Sequence, residues 1–152
     1  KKSQFTASNG VVVDVNSDDF AGRAEYSAPA IKFEPENGGS GYALVAKTRH
    51  AGKLGGLNIQ GFIMYSGDWR FYSSAIYKGG AEDQFKNIGR DVGSCRYRCT
   101  LTENFMIDLT PADVEKHAEN GVLALQIRGK SADTAIVQVP VSYIQAVNEV
   151  AR

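Results

Sequence analysis

Two cysteines stand four positions apart, Cys95 and Cys99, with Arg96, Tyr97 and Arg98 between them. Three chemistries fit such a pair: a disulfide, two ligands of a metal, or a thiol nucleophile. On a regular strand, residues four apart are separated by roughly 13 Å, beyond disulfide reach, so a staple requires the chain to turn back on itself. Gly93-Ser94, immediately ahead, supplies turn chemistry, which favours a small disulfide-closed loop. So short a ring removes on the order of 2 kcal/mol of unfolded-chain entropy. Its larger effect is to fix local shape and to present Arg96, Tyr97 and Arg98 outward, where two arginines can meet a carboxylate or a phosphate. A solvated loop tip is the plainer account of the same residues. Zinc would need two further ligands, and the imidazoles are His50 and His117 alone. A cysteine nucleophile would need one of them beside it in the fold.

Aromatic residues gather in the stretch 64–77, where Tyr65, Trp69, Phe71 and Tyr77 share one alternation and Tyr72 falls on the other. Rings at strand spacing are core by default. Tyr65, Trp69 or Tyr72, if exposed near Asp68 and Arg70, would make a strip able to stack on a sugar ring or on a partner's apolar anchor. A third pattern is Asp14, Asn16 and Asp18 with Glu25, which fall at the first, third, fifth and twelfth places of a calcium loop. Asp19 stands where such a loop needs glycine, and the Val11-Val12-Val13 run ahead reads as a strand. The EF-hand match breaks there, and the readings that fit are an oxygen-rich calcium site in a strand-to-strand loop or ordinary Asx-turn chemistry.

Hydrolase elbows, zinc-protease motifs and phosphate-binding loops are absent, and adjacent acids such as Asp18-Asp19 and Glu82-Asp83 would point to opposite faces of a strand. Seventeen Lys and Arg balance seventeen Asp and Glu, with no long run of one sign, so nucleic acid is not an expected partner. The apolar runs are far too short for a membrane-spanning helix. At 152 residues and 43% hydrophobic content, a single domain over residues 1–152 is expected.

The elements that must position these residues are mostly strands. Asn9-Gly10 reads as a hairpin turn of type I′, and candidate strands follow at 24–33, 42–49, 57–65 and 69–77, separated by glycine-rich turns. Gly79-Gly80 opens a longer polar connection. Residues 104–109 place Phe105, Ile107 and Leu109 on one face of a half-buried strand. Thr110-Pro111-Ala112-Asp113 reads as a helix start, with the helix ending near Asn120-Gly121. Strands at 122–128 and 134–139 form a further hairpin that Pro140 stops. Tyr143, Ile144, Val147, Val150 and Ala151 then form an apolar stripe at helical spacing. The fold class is mainly β: an antiparallel two-sheet β-sandwich with two short peripheral helices. An antiparallel sheet covered by helices is the alternative.

The succession of Gly67-Asp68-Trp69-Arg70-Phe71-Tyr72, then C-x-x-x-C, then Glu103-x-Phe105-x-Ile107-x-Leu109, then Pro140-Val141-Ser142-Tyr143-Ile144 resembles uncharacterised exported or lipid-anchored proteins of Gram-negative bacteria, over roughly the C-terminal half. The resemblance implies a periplasmic or envelope location and assigns no catalytic residue. The start at Lys1-Lys2-Ser3-Gln4, without methionine, fits removal of an upstream signal or lipid-bearing piece. The absence of any Asn-x-Ser/Thr sequon fits a bacterial source. The expected function is a non-enzymatic envelope binding or accessory module that contacts protein or glycan through loops or the aromatic strip, with no cofactor beyond the calcium option. The alternatives are a small hydrolase using Cys/His or carboxylates, and a structural homo-oligomer of the envelope.

Overall fold

The computed structural model describes residues 1–152. In chain order the first strands are β1 (Lys2–Thr6), β2 (Val12–Asp18), β3 (Arg23–Ser27), β4 (Ile31–Phe33), β5 (Ser40–His50), β6 (Lys53–Leu54) and β7 (Leu57–Ser66). They are followed by β8 (Ser74–Tyr77), β9 (Glu82–Asp83), β10 (Phe85–Cys95), β11 (Cys99–Leu109), helix α1 (Pro111–His117), β12 (Val122–Arg128), β13 (Thr134–Pro140) and helix α2 (Val141–Val150). The larger sheet runs β1-β2-β3-β5-β7-β11-β10, with β4 and β6 also paired to β5; the smaller runs β13-β12-β8-β9. Every pairing is antiparallel. The molecule is therefore mainly β, two antiparallel sheets in a sandwich with two short helices.

Alternation in the sequence decides which side chains meet between the sheets. Val13 of β2, Val45 of β5, Ile59 and Ile63 of β7 and Phe105, Ile107 and Leu109 of β11 are buried from one side. Leu123, Leu125 and Ile127 of β12 and Ala135, Val137 and Val139 of β13 are buried from the other, in the same cluster. The smaller sheet has fewer strands than the sheet it covers. Helix α2 packs against β1, β2, β3 and β5 as well as β13, inserting Ile144 and Val147 into the cluster. Pro140 closes β13 and caps α2, and Thr110 caps α1 by accepting the Asp113 amide at 3.1 Å.

Several expectations are corrected. The strand expected over 24–33 is two, β3 and β4, because Pro29 between them has no N–H to offer β5. The strand expected over 69–77 begins at Ser74; residues 69–73 are irregular, and Phe71 has φ +51°. The polar connection after Gly79-Gly80 contains β9 and the whole of β10, an edge strand most of whose residues are exposed. Helix α1 ends at His117, and Asn120-Gly121 instead makes a tight turn, both at positive φ, between the mutually bonded Glu119 and Val122. The Asn9-Gly10 hairpin exists, but only Gly10 of the two is at positive φ, and the turn closes between Ala7 and Val11.

Candidate functional site

Along β11 every second residue from Leu101 to Leu109 is buried, and the one in the middle of that row that is not apolar is Glu103, 1% exposed. A carboxylate so placed must find partners. Oε2 accepts from the Tyr65 hydroxyl, Oε1 accepts from the Tyr72 amide at 3.0 Å, and Arg90 Nε and Asn87 Nδ2 each reach Oε1 at 3.4 Å. Tyr65 accepts in turn from the Arg70 amide at 2.8 Å. Burial, reinforced by the hydrogen bond to Glu103, holds the Tyr65 hydroxyl well above the usual phenol range. Burial also raises Tyr72, against the opposing pull of Arg70.

Arg70 is the second buried charge. Its guanidinium lies 4.2 Å above the Tyr65 ring and donates to the carbonyls of Gly38 at 2.8 Å and Asn37 at 2.7 Å and to the Tyr72 hydroxyl at 3.1 Å. Asp133 stands 4.0 Å from Nε. One side chain thereby ties three connections together: the β4–β5 loop, the β7–β8 segment and the β12–β13 loop. Further bonds knit the same loops, with Lys130 N–H donating to Arg70 O at 2.7 Å and Asn37 Nδ2 to Asp133 at 2.9 Å. Gly129 is required here, since a Cβ would lie 2.6 Å from Arg70 O. Of the six non-glycine residues at positive φ, four are in these loops: Asn37, Phe71, Ser131 and Ala132. Backbone strain of this kind persists only where surrounding bonds over-determine it.

Above the knot is a cleft of about 350 Å³ lined by Ser66, Asp68, Trp69, Arg70, Lys130, Ser131 and Asp133. Trp69 is half-buried and stacks on Phe71, whose ring is turned outward by its positive φ and is 40% exposed. Arg90 Cζ stands 5.0 Å and Lys130 Nζ 5.9 Å from the Phe71 ring centre. One indole, two carboxylates, two hydroxyls, an ammonium and the Arg70 guanidinium line one concavity. That set can stack on an apolar ring face and hydrogen-bond to hydroxyls.

The staple lies at the same end. Cys95 and Cys99 are joined in a disulfide that closes the β10–β11 hairpin. Thr100, next to Cys99, pairs with Ser66 of the cleft, so Arg96, Tyr97 and Arg98 extend beyond the end of β7. All three are exposed, Tyr97 at 94%. With both cysteines bonded there is no free thiol for a Cys/His hydrolase. His117 is stacked on Tyr77, ring centres 4.0 Å apart, and His50 ends β5. Tyr77 donates to Asp83 at 2.7 Å, and burial raises the Asp83 carboxyl above its ordinary value.

The strip of predicted ligand residues is divided by the fold. Asp68, Trp69 and Arg70 line the cleft, whereas Tyr65 and Tyr72 are buried beneath it as support, at 3% and 1% exposure. The calcium reading is corrected in its geometry: Asp14, Asn16, Asp18 and Glu25 are on two paired strands, Asn16 opposite Glu25, and not in a loop. Asp14 accepts from Gln4 at 2.9 Å, Asp18 accepts the amides of Phe20 and Ala21, and no group of three or more His, Cys, Asp or Glu is placed to hold a metal ion. Arg90, Lys130, Ser131 and Asp133 were given no role from sequence, and Phe71 and Glu103 entered there only through the aromatic stretch and the resemblance, not as site residues. Glu103 had a signal, being in phase with Phe105, Ile107 and Leu109; Arg90 sits on an edge strand without an apolar row, and the others on connections with no period.

A wider concavity of about 470 Å³ lies on the outer face of the larger sheet, where Tyr42, Leu44, Phe62 and Ile88 surround Gln60 and Asn104. It has no charged side chain. No helix is long and apolar enough to cross a membrane. No protein-family model, curated protein or solved structure matches the chain.

Proposed function

We propose that this domain is a non-catalytic binding module of the bacterial envelope that takes a glycan in the cleft between Trp69 and Lys130. The observation that carries the reading is the combination of half-buried Trp69, stacked on exposed Phe71, with the buried Arg70–Tyr65–Glu103 network beneath them. Ordering two long side chains and desolvating two charges is expensive, and a hydrophobic filling of the same space would be at least as stable. A rigid aromatic wall beside Asp68, Asp133 and Ser131 is the arrangement that a ring with an apolar face and hydroxyl edges needs, without induced fit. The disulfide supports an oxidising compartment and hence the periplasm or envelope surface.

Trp69 is the sole tryptophan, so the site reports on itself. Titration with a panel of neutral and acidic oligosaccharides is expected to change Trp69 emission, and Trp69→Ala is expected to abolish binding measured by calorimetry while the protein stays folded. Silence of the whole panel in both measurements sinks the glycan reading. A structural homo-oligomer is the second reading, favoured by the exposed apolar residues Tyr42, Met64 and Ile88 on the outer sheet face. Light scattering that shows a monomer at high concentration removes it.

A further inference from the structure

The cleft and the disulfide-closed tip were separate features of the sequence, and β-sheet register puts them side by side. Ser66 lines the cleft and pairs with Thr100; the next residue, Cys99, closes the loop that carries Arg96 and Arg98. On the same hairpin, Arg90 bonds to Glu103 through Nε alone, leaving its two terminal nitrogens without a protein partner, directed around the Phe71 ring. Lys130 lines the cleft, approaches Phe71 from another loop and is in no ion pair. Arg96 and Arg98 are exposed and likewise in no ion pair. Four cations therefore converge on one end of a protein whose overall charge is balanced. The acids around them differ in availability: Glu103 is buried and fully bonded, Asp133 is engaged by Asn37 and faces Arg70, Asp91 on the hairpin accepts from Asn104, and Asp68 is the one exposed carboxylate of the cleft.

Resting on the glycan reading above, we propose that the ligand is an acidic oligosaccharide. One sugar ring stacks on Trp69 with its hydroxyls toward Asp68 and Ser131, and the carboxylate or sulfate groups of that ring and its neighbours meet Lys130, Arg90 and the Arg96/Arg98 tip. Arginine suits this role because its planar fork of donors matches a carboxylate or sulfate two bonds at a time. The disulfide contributes by holding the tip in place before the ligand arrives, so that less ordering is required on binding.

The test compares a uronic-acid hexamer with the same hexamer reduced at its carboxyls, and with a single-stranded oligonucleotide of similar charge, by calorimetry and Trp69 emission. The acidic hexamer is expected to bind about tenfold or more tightly than its neutral counterpart and to weaken as salt is raised. Arg96→Ala/Arg98→Ala, which touches only exposed side chains, is expected to remove about tenfold from the acidic ligand and nothing from the neutral one. A sulfated oligosaccharide replaces the uronic acid if the latter is silent, and the same comparison is made. Equal binding of acidic and neutral forms overturns the proposal and leaves the glycan module intact. Unchanged affinity of the double variant for the acidic form overturns it too. Tighter binding of the oligonucleotide would show a general anion patch and overturn it as well. If no saccharide binds in either form, the glycan reading itself has failed.

Discussion

β11 buries one row of side chains with two different kinds of neighbour. At its C-terminal half, Phe105, Ile107 and Leu109 are buried in one apolar cluster with residues of β7, β12 and β13, Phe105 also meeting the rings of Phe33 and Phe85, and apolar packing holds these side chains. Two residues before Phe105, the same row holds Glu103, satisfied by two tyrosines, an arginine and an asparagine. The first region tolerates any close-packed apolar filling of about the same volume. The second tolerates almost none, because each member left without its partner is a buried polar group. The loops held by this second region carry the cleft. One end of the row is held by apolar packing, and the other by a polar network that carries the loops around the cleft.

The sharpest way to break this contrast is Arg70→Ala. It leaves the carbonyls of Asn37 and Gly38 without their donor and Asp133 without its nearest cation, and about 3–5 kcal/mol of unfolding free energy should be lost in urea denaturation. Trp69 emission should shift red as the cleft loosens. Ile107→Ala should cost about 2–5 kcal/mol, within the range for a buried aliphatic truncation, yet leave Trp69 emission where it was. An emission shift of the same size in both variants would mean that the two regions are not separate. Replacing both Cys95 and Cys99 by Ser should cost about 2 kcal/mol and leave the core transition cooperative.

Phe71 offers a smaller comparison. At φ +51°, Phe71→Gly should be about 1 kcal/mol more stable than Phe71→Ala, since both lose the ring but only alanine keeps the left-handed penalty. No difference would show that the loop relaxes and that its strain is not held by Arg70. Smallest is a pH effect at a third location. Asp83 has its folded carboxyl raised by burial, so its favourable contribution is complete below about 3.9, the unfolded value, and is lost as pH rises through the folded one. Asp83→Asn, which keeps an acceptor for Tyr77, should flatten that part of the stability profile when urea midpoints are followed across the acidic range. A profile identical to wild type would assign the acidic limb to other groups.

Much of the architecture was legible because alternation has a fixed physical period. Val13 and Val15, Phe105 to Leu109, and Leu123 to Ile127 could be placed on inner faces by counting in twos, and Ile144 and Val147 by counting in helical turns. β10 was not legible, since an edge strand with exposed polar faces, Lys86, Arg90 and Asp91 among them, has no apolar row to count. The aromatic stretch misled for the opposite reason. Its rings mimic alternation from Tyr65 to Tyr77, while the chain turns at Gly67 and leaves the strand geometry until Ser74.

The sequence by itself determined the two-sheet class, both helices and the short disulfide loop, because strand and helix periods, turn residues and cysteine spacing act over a few residues. Tertiary structure alone decided that Tyr65 and Tyr72 support the cleft while Trp69 lines it with Phe71 stacked on its ring, and that Lys130, Arg90 and the Arg96–Arg98 tip share one end. Those neighbours are set by register between strands far apart in the chain and by the hydrogen bonds and ion pair through which one buried arginine joins three connections, and neither leaves a period in the sequence.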